Sequence, residues 1–494
     1  MKEMKKTKLA AALAATIGLG AFTGSAQAVN MAPDGVGEVL YFPYYNVNDG
    51  RQIYINLINT SDKTVAVKLM IREGEGSEDI RDFHIIMSPR DVWNAYIRTE
   101  GDNNARIVTT DTTCTVPDKP AWNVDIDGGW SVPFSTVNIN GDELYTREGY
   151  VVALVMGVSD IPTSRIDSVP YLAKHVKNER GDWVPRDCAS IDWAFSSPEG
   201  FESVKGQFGE PENVLAGQEV LVDPFGATAS VAPTTALANF RNNTDDIIGL
   251  AGSTLPNESF VFPKEAVAFD DVEARLYEAD FDGVEQGAGA AAVTAALMRD
   301  SVMGIFDTTD IRTNWVINFP TKRFHSIDDG IDNEQPFPPI RVVDLEKVIW
   351  VNISPIAETL IDPDIGGNQF SAFTNYEESE GIIPSNTQFS PAIPIIETDI
   401  FLPWEVNVVT FDNRNLMDSQ LTTNLQLSQP KGWMEMRFTN SRPLVGANLN
   451  PQLGGFEFHG LPVIGFHYLE ATDLNVTAGV PFAYTRTIEQ LLGN

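Results

Sequence analysis

Cysteine and histidine are both scarce in this chain: 494 residues hold only Cys114 and Cys188 and five dispersed histidines. That excludes a cysteine-rich metal framework and a Cys-x-x-Cys redox module. Positive charge is scarce as well, with 34 Lys and Arg against 68 Asp and Glu, a formal charge of −34. A field of that sign repels phosphates and anionic headgroups, so neither nucleic acid nor an acidic lipid surface is an expected partner. No apolar run beyond residue 28 approaches the roughly 20 residues that span a bilayer. The sequence has no G-x-S-x-G elbow, no H-E-x-x-H helix and no Gly-rich phosphate loop behind a strand. It has no tandem repeat either, which excludes a solenoid or propeller.

What is present begins with an export signal. Residues 1–28 divide into a basic start (Lys2, Lys5, Lys6, Lys8), an apolar stretch over 9–22, and the small-residue end Ser25-Ala26-Gln27-Ala28. This is the three-part secretory signal, with cleavage expected after Ala28. Neither cysteine lies at the cleavage point for lipid attachment, and residues 487–494 form no apolar sorting tail. The expectation is an exported protein of the cell surface, extracellular space or periplasm, with no transmembrane segment after cleavage and any surface attachment non-covalent. Removing residues 1–28 takes away four Lys and one Glu and leaves a formal charge of −37. Cations are the natural counterpart of such a surface; plain solubility in salty water explains it equally well.

In an oxidising compartment Cys114 and Cys188 are expected to pair. The bond closes a loop of 74 sequence steps, worth about 4 kcal/mol in the chain-entropy model.

The rest reads as mainly β. Short runs rich in Val, Ile, Tyr and Phe alternate with turn residues from Gly37 onward, the pattern of an all-β chain. Asn48-Asp49-Gly50 reads as a hairpin-type turn, and 64–72 alternates apolar and polar residues like a half-buried strand. These features predict an immunoglobulin-like β-sandwich over 29–205, then a larger, irregular β-rich domain over 206–494 with one helix near 290–306.

Two acidic, Gly-terminated loops are the best candidate metal sites. Asn123, Asp125 and Asp127 precede Gly128, and Glu278, Asp280 and Asp282 precede Gly283. Oxygen ligands on alternate residues of a bending chain converge on one point, which suits Ca2+, the one cofactor the sequence suggests. Neither loop has the closing Glu of an EF-hand, and such pieces also make ordinary solvated turns. Weaker relatives occur at 328–332 and 362–366. No catalytic residues stand out: His84, His175, His325, His459 and His467 are dispersed, and paired carboxylates for hydrolysis cannot be chosen among so many acids.

Several segments form a recognisable set: 39–45 (Val-Leu-Tyr-Phe-Pro-Tyr-Tyr), 59–67, 88–93, 146–150 (Thr-Arg-Glu-Gly-Tyr), 313–324 and 461–466. Together they resemble a group of uncharacterised exported proteobacterial proteins labelled as cell-surface proteins. The resemblance implies a location and no reaction. Read physically, these segments are turns and strands, and Thr321-Lys322-Arg323 is a rare basic cluster suited to a carboxylate partner.

The expected function is therefore non-enzymatic: a surface or extracellular matrix protein, calcium-stiffened or self-assembling, whose partners are other matrix components or itself. In a self-assembling version, the segment 29–37 would extend into a neighbour's sheet. One alternative is a module binding extracellular polymer or a hydrophobic substrate through aromatics such as Tyr41, Tyr44 and Tyr45; another is a secreted hydrolase using acidic residues.

Overall fold

The computed structural model describes residues 28–101, 104–139, 141–240, 248–252, 263–281, 288–325, 402, 404–427, 430–438, 443–448 and 454–491, with short paired pieces at 341–342, 350–351, 373–377 and 381–382. Two seven-stranded sheets form the N-terminal body. Sheet I runs in the order Asn30–Met31, Thr235–Ala238, Val39–Asn46, Glu148–Ser159, Thr64–Glu73, Asp79–Met87, Cys114–Val116. Sheet II runs Thr228–Ala232, Leu215–Asp223, Gln52–Asn59, Val92–Thr99, Ala105–Thr109, Trp130–Pro133, Asn123–Val124. Their strand number exceeds the roughly seven to nine of an immunoglobulin sandwich. They share one core, in which Phe83 of sheet I meets Trp93 of sheet II with ring centroids 5.9 Å apart.

Several expectations change at this level. The strands flanking Asn48-Asp49-Gly50 lie in different sheets, so this turn is a corner and not a hairpin. Strand Thr64–Glu73 is buried at every position, not on alternate ones. Sheet II covers one face, and the helix Cys188–Ser196 packs on the other, with Phe195 at 6.2 Å from His84 of the adjacent strand. Lys68 tolerates this burial because Asp82 answers its ammonium at 2.7 Å. Strands Leu215–Asp223, Thr228–Ala232 and Thr235–Ala238 complete sheets I and II, so the first body continues past the boundary expected near residue 205.

Among the described residues, the C-terminal body contains three five-stranded sheets. Its helix spans Ala288–Leu297 and stops short of the expected 306. Met298–Arg299 pairs with Leu461–Pro462, and Ser301–Asp307 pairs with Lys431–Arg437. The Val-Met-Gly-Ile-Phe run suits a pleated surface better than a helix, and Gly304 lets the Trp315 and His467 rings pack against its bare backbone.

The chain's first described residues are stitched into both bodies. Asn30–Met31 pairs with Leu237 and Ala238 of sheet I, while the Val29 N–H donates to the Glu265 carbonyl at 2.9 Å. Val29 is fully buried. The segment at 29–31 therefore already has partners within its own chain, which removes it as the free strand of a self-assembling subunit. Among the described residues, no helix is long and apolar enough to cross a membrane.

Candidate functional site

The two bodies meet along a buried row of carboxylates. The turn 73–78 reads Glu-Gly-Glu-Gly-Ser-Glu, and its backbone folds back so that the N–H groups of Glu75, Gly76 and Glu78 donate to the Glu73 carboxylate at 2.7, 2.7 and 2.9 Å. Glu405 of the C-terminal body faces this turn. Its main-chain N–H donates to the Glu75 carbonyl at 3.1 Å and that of Val406 to Gly74 at 2.9 Å. The Glu405 carboxylate accepts from the Ser77 hydroxyl, from Tyr150 at 3.4 Å and from the Arg323 N–H at 2.7 Å. Arg323 and Arg72 both reach the Ser77 carbonyl, at 2.7 and 3.0 Å. Lys322 is buried and donates to the Trp404 carbonyl at 3.0 Å.

A second anchor is built on Glu148. Pro43, lacking an N–H, sits in a bulge where Pro43 and Tyr44 together face Tyr150 across the ladder. From this bulge the Tyr44 hydroxyl donates to Glu148 at 2.9 Å. The same carboxylate accepts from Asn48 at 2.6 Å and, across the junction, from the Ser419 hydroxyl and the Gln420 N–H at 2.6 Å each. Asn46 donates to the Met417 carbonyl at 2.7 Å, and Arg51 pairs with Asp418 at 2.5 Å. From the far side, Asn318 donates to the Pro43 carbonyl at 2.8 Å. Three of the segments that carry the resemblance, 39–45, 146–150 and 313–324, thus supply this junction, and the Lys322–Arg323 cluster finds its carboxylate in Glu405.

Burial dominates the acids' chemistry here. It pushes Glu73 up to about 7 against three opposing N–H donors, and Glu75 to about 7 with the neighbouring Glu73 charge adding to it. Glu148 and Glu405 are also raised by burial, and burial holds Lys322 well below the usual lysine range. Inside the sandwich, Glu219 is fully buried and pushed well above the carboxylate range by burial, with only the Tyr44 N–H favouring its charge.

For acids raised in this way, the folded state holds protons that the unfolded state releases. Their contribution to stability is full below the unfolded value near 4.5 and is lost as pH rises towards the folded value, about 3 kcal/mol for Glu73. Two histidines oppose this. Burial, with Lys68 nearby, lowers His84 to about 3, and burial lowers His467 to about 4, so acid weakens the fold through them. The Glu219 contribution is isolated by difference. E219Q and the parent should be equally stable at pH 4, and the variant should become progressively more stable than the parent as pH rises above the unfolded value near 4.5. Denaturation midpoints that differ by the same amount at pH 4 and pH 7 would contradict this.

An open cleft of about 590 Å³ lies at one end of the sandwich, lined by Lys63, Asp160, Lys174, His175 and Trp183 among others. Trp183 is 62% exposed, with the Lys177 ammonium 5.5 Å above its ring. Beside the cleft the His175 ring has Ser88 Oγ 3.1 Å from Nδ1, Asp91 3.7 Å from the same nitrogen, and Thr112 Oγ1 3.3 Å from Nε2. A nucleophile–base–carboxylate relay needs serine and carboxylate on opposite ring nitrogens. Here they share one, and the Thr112 hydroxyl donates instead to the Trp183 carbonyl at 3.3 Å. The imidazole ties the hairpin of His175–Lys177 and Trp183–Pro185 to the sheet edge.

No family model, curated protein or solved structure matches this chain.

The proposed calcium ligands are differently placed from one another. Asp125 is buried, and both its oxygens accept from Arg98 at 2.9 Å. Burial works against its charge, but the Asp127 N–H and Arg98 hold it below the usual carboxylate range. Asp127 accepts from the Tyr96 hydroxyl at 3.2 Å, and Asn123 lies exposed in the strand Asn123–Val124. The Asp125 carboxylate thus already has an internal cation, the Arg98 guanidinium, as its partner. Glu278 and Asp280 belong to the strand Arg275–Asp280, facing Val267 and Glu265. Asp282 and the loops 328–332 and 362–366 lie outside the described residues. The aromatics Tyr41, Tyr44 and Tyr45 are fully buried and cannot bind a polymer. The disulfide is as expected, with Cys114 and Cys188 bonded at 2.07 Å.

The carboxylate junction escaped sequence reading because Glu73, Glu148 and Glu405 look like any other surface acid among 68. The available signal was the apolar company of Glu148, between a turn and the uncharged run 149–159.

Proposed function

We propose that the chain is a non-enzymatic, exported protein of the cell surface or extracellular matrix. The closed junction carries this reading. Two-body enzymes commonly keep a reactive cleft between their bodies. In this chain the corresponding space is filled by Glu73, Glu148 and Glu405, whose oxygens are taken by donors of the chain itself. Such mortar makes a stiff block suited to bearing load or presenting a surface, and the strongly acidic exterior keeps it hydrated. The export signal in residues 1–28 and the resemblance to cell-surface proteins point to the same location. The test is fractionation of cells carrying a tagged copy, with surface extraction in the presence and absence of a chelator. Tagged protein is expected in the surface or matrix fraction; recovery only as free periplasmic or cytoplasmic monomer would refute the reading.

A second reading is favoured by Trp183. An exposed indole at the mouth of a polar cleft is the usual stacking platform for a sugar ring. Extracellular polysaccharide retained on immobilised protein, with retention lost in W183A, would support it, and equal retention by both proteins would remove it.

A further inference from the structure

Two glutamates and a histidine are brought together in the C-terminal body, away from the acidic loops at 123–128 and 278–283. Strands Gly455–Phe458 and Ile488–Gln490 pair antiparallel, with Glu457 directly opposite Glu489. Like charges in that relation repel, and neither carboxylate is answered by a Lys or Arg among the described residues. His459 stands at the following turn, where its N–H meets the Thr487 carbonyl at 3.4 Å and Gly460 takes a φ of +86° against the Arg299 backbone. One ligand atom from each of Glu457, His459 and Glu489 lies within 4.8 Å of the other two. The imidazole Nε2 is shut off from solvent and makes no hydrogen bond; Glu489 Oε1 is 3.7 Å away. Asp300 brings another carboxylate within electrostatic reach of His459, and its Oδ1 is likewise buried without a hydrogen bond.

We propose that Glu457, His459 and Glu489 bind a divalent transition ion, with Zn2+ the best fit. A cation removes the repulsion between the opposed carboxylates and gives the buried imidazole nitrogen a partner. The mixed nitrogen and carboxylate set selects zinc over calcium, which prefers six or more oxygens. Zinc bonds of about 2.0–2.2 Å place ligand atoms about 3.3 Å apart, so the three groups draw inward on binding. Glu489, the exposed member, has the rotamer freedom to do so. Asp300 is positioned to orient His459 or to complete the shell.

The full chain, stripped with EDTA, is titrated with Zn2+ by calorimetry and with Co2+ by visible absorption. One equivalent of Zn2+ should bind, Co2+ should develop a ligand-field band, and both H459A and E489Q should weaken binding about tenfold or more. E489Q changes an exposed side chain, so loss of folding is not an alternative explanation for its effect. Absence of Zn2+ binding overturns the proposal. So does binding equally tight in all three proteins, or Ca2+ binding at the same stoichiometry that is insensitive to H459A, since both describe only the acidic surface.

Discussion

E148A should destabilise the protein by about 4 kcal/mol, the range seen when one partner of a buried charged network is removed. The carboxylate gathers the Tyr44 hydroxyl, the Asn48 amide, the Ser419 hydroxyl and the Gln420 N–H. Truncation leaves all four facing one another at a site with little access to water. Two of them belong to the C-terminal body, so the loss falls on the joint and not within one sheet. Denaturant titration should show a lower midpoint, and limited proteolysis should reach the 412–421 loop. E148Q keeps the volume but turns an amide N–H towards donors, and should recover only part of the loss. A midpoint shift equivalent to less than about 1 kcal/mol for E148A would mean that the joint is held by its apolar contacts and its main-chain bonds.

Breaking the disulfide should have an effect of comparable size. The Cys114–Cys188 bond spans 74 positions, and the chain-entropy model assigns about 4 kcal/mol to that closure. What it fastens is specific. Cys188 opens the helix Cys188–Ser196, which Asp187 caps by accepting from the Ser190 N–H at 2.9 Å. That helix lays Ile191 and Phe195 over the face of sheet I opposite sheet II. Reduction should lower the thermal midpoint of the parent to that of a C114S/C188S variant and expose the helix to hydrogen exchange before the strands. If reductant leaves the midpoint unchanged, helix packing alone holds this layer.

How far the structure could be read from the sequence depended on the range of the interactions involved. The strand over 64–72 and the disulfide were legible because alternation and a single cysteine pair are local or unique signals. Which sheet each strand joins was not legible. Asn48–Gly50 has hairpin residues, yet the chain changes sheets there, because the choice is made by what Val39–Asn46 and Gln52–Asn59 bury and not by the turn. The full burial of Thr64–Glu73 was concealed by Lys68, a residue that reads as exposed until Asp82 is found beside it. The acidic loop at 123–128 gave a correct turn, while the partner of Asp125, Arg98, lies 27 positions away. Glu457, His459 and Glu489 were invisible as a group because strand pairing, not spacing, brings the two glutamates together.

The separation between junction partners also sets the order in which the molecule can be finished. Asn46 waits for Met417 across 371 positions, and Glu148 waits for Ser419 across 271. Pairings this distant make folding slow and leave early segments incomplete while the remainder is being synthesised. Until residues 416–421 have been made, Asn46 lacks the Met417 carbonyl and Glu148 holds only the Tyr44 and Asn48 donors of its own body. The joint between the two bodies can thereby close only after most of the chain has been made.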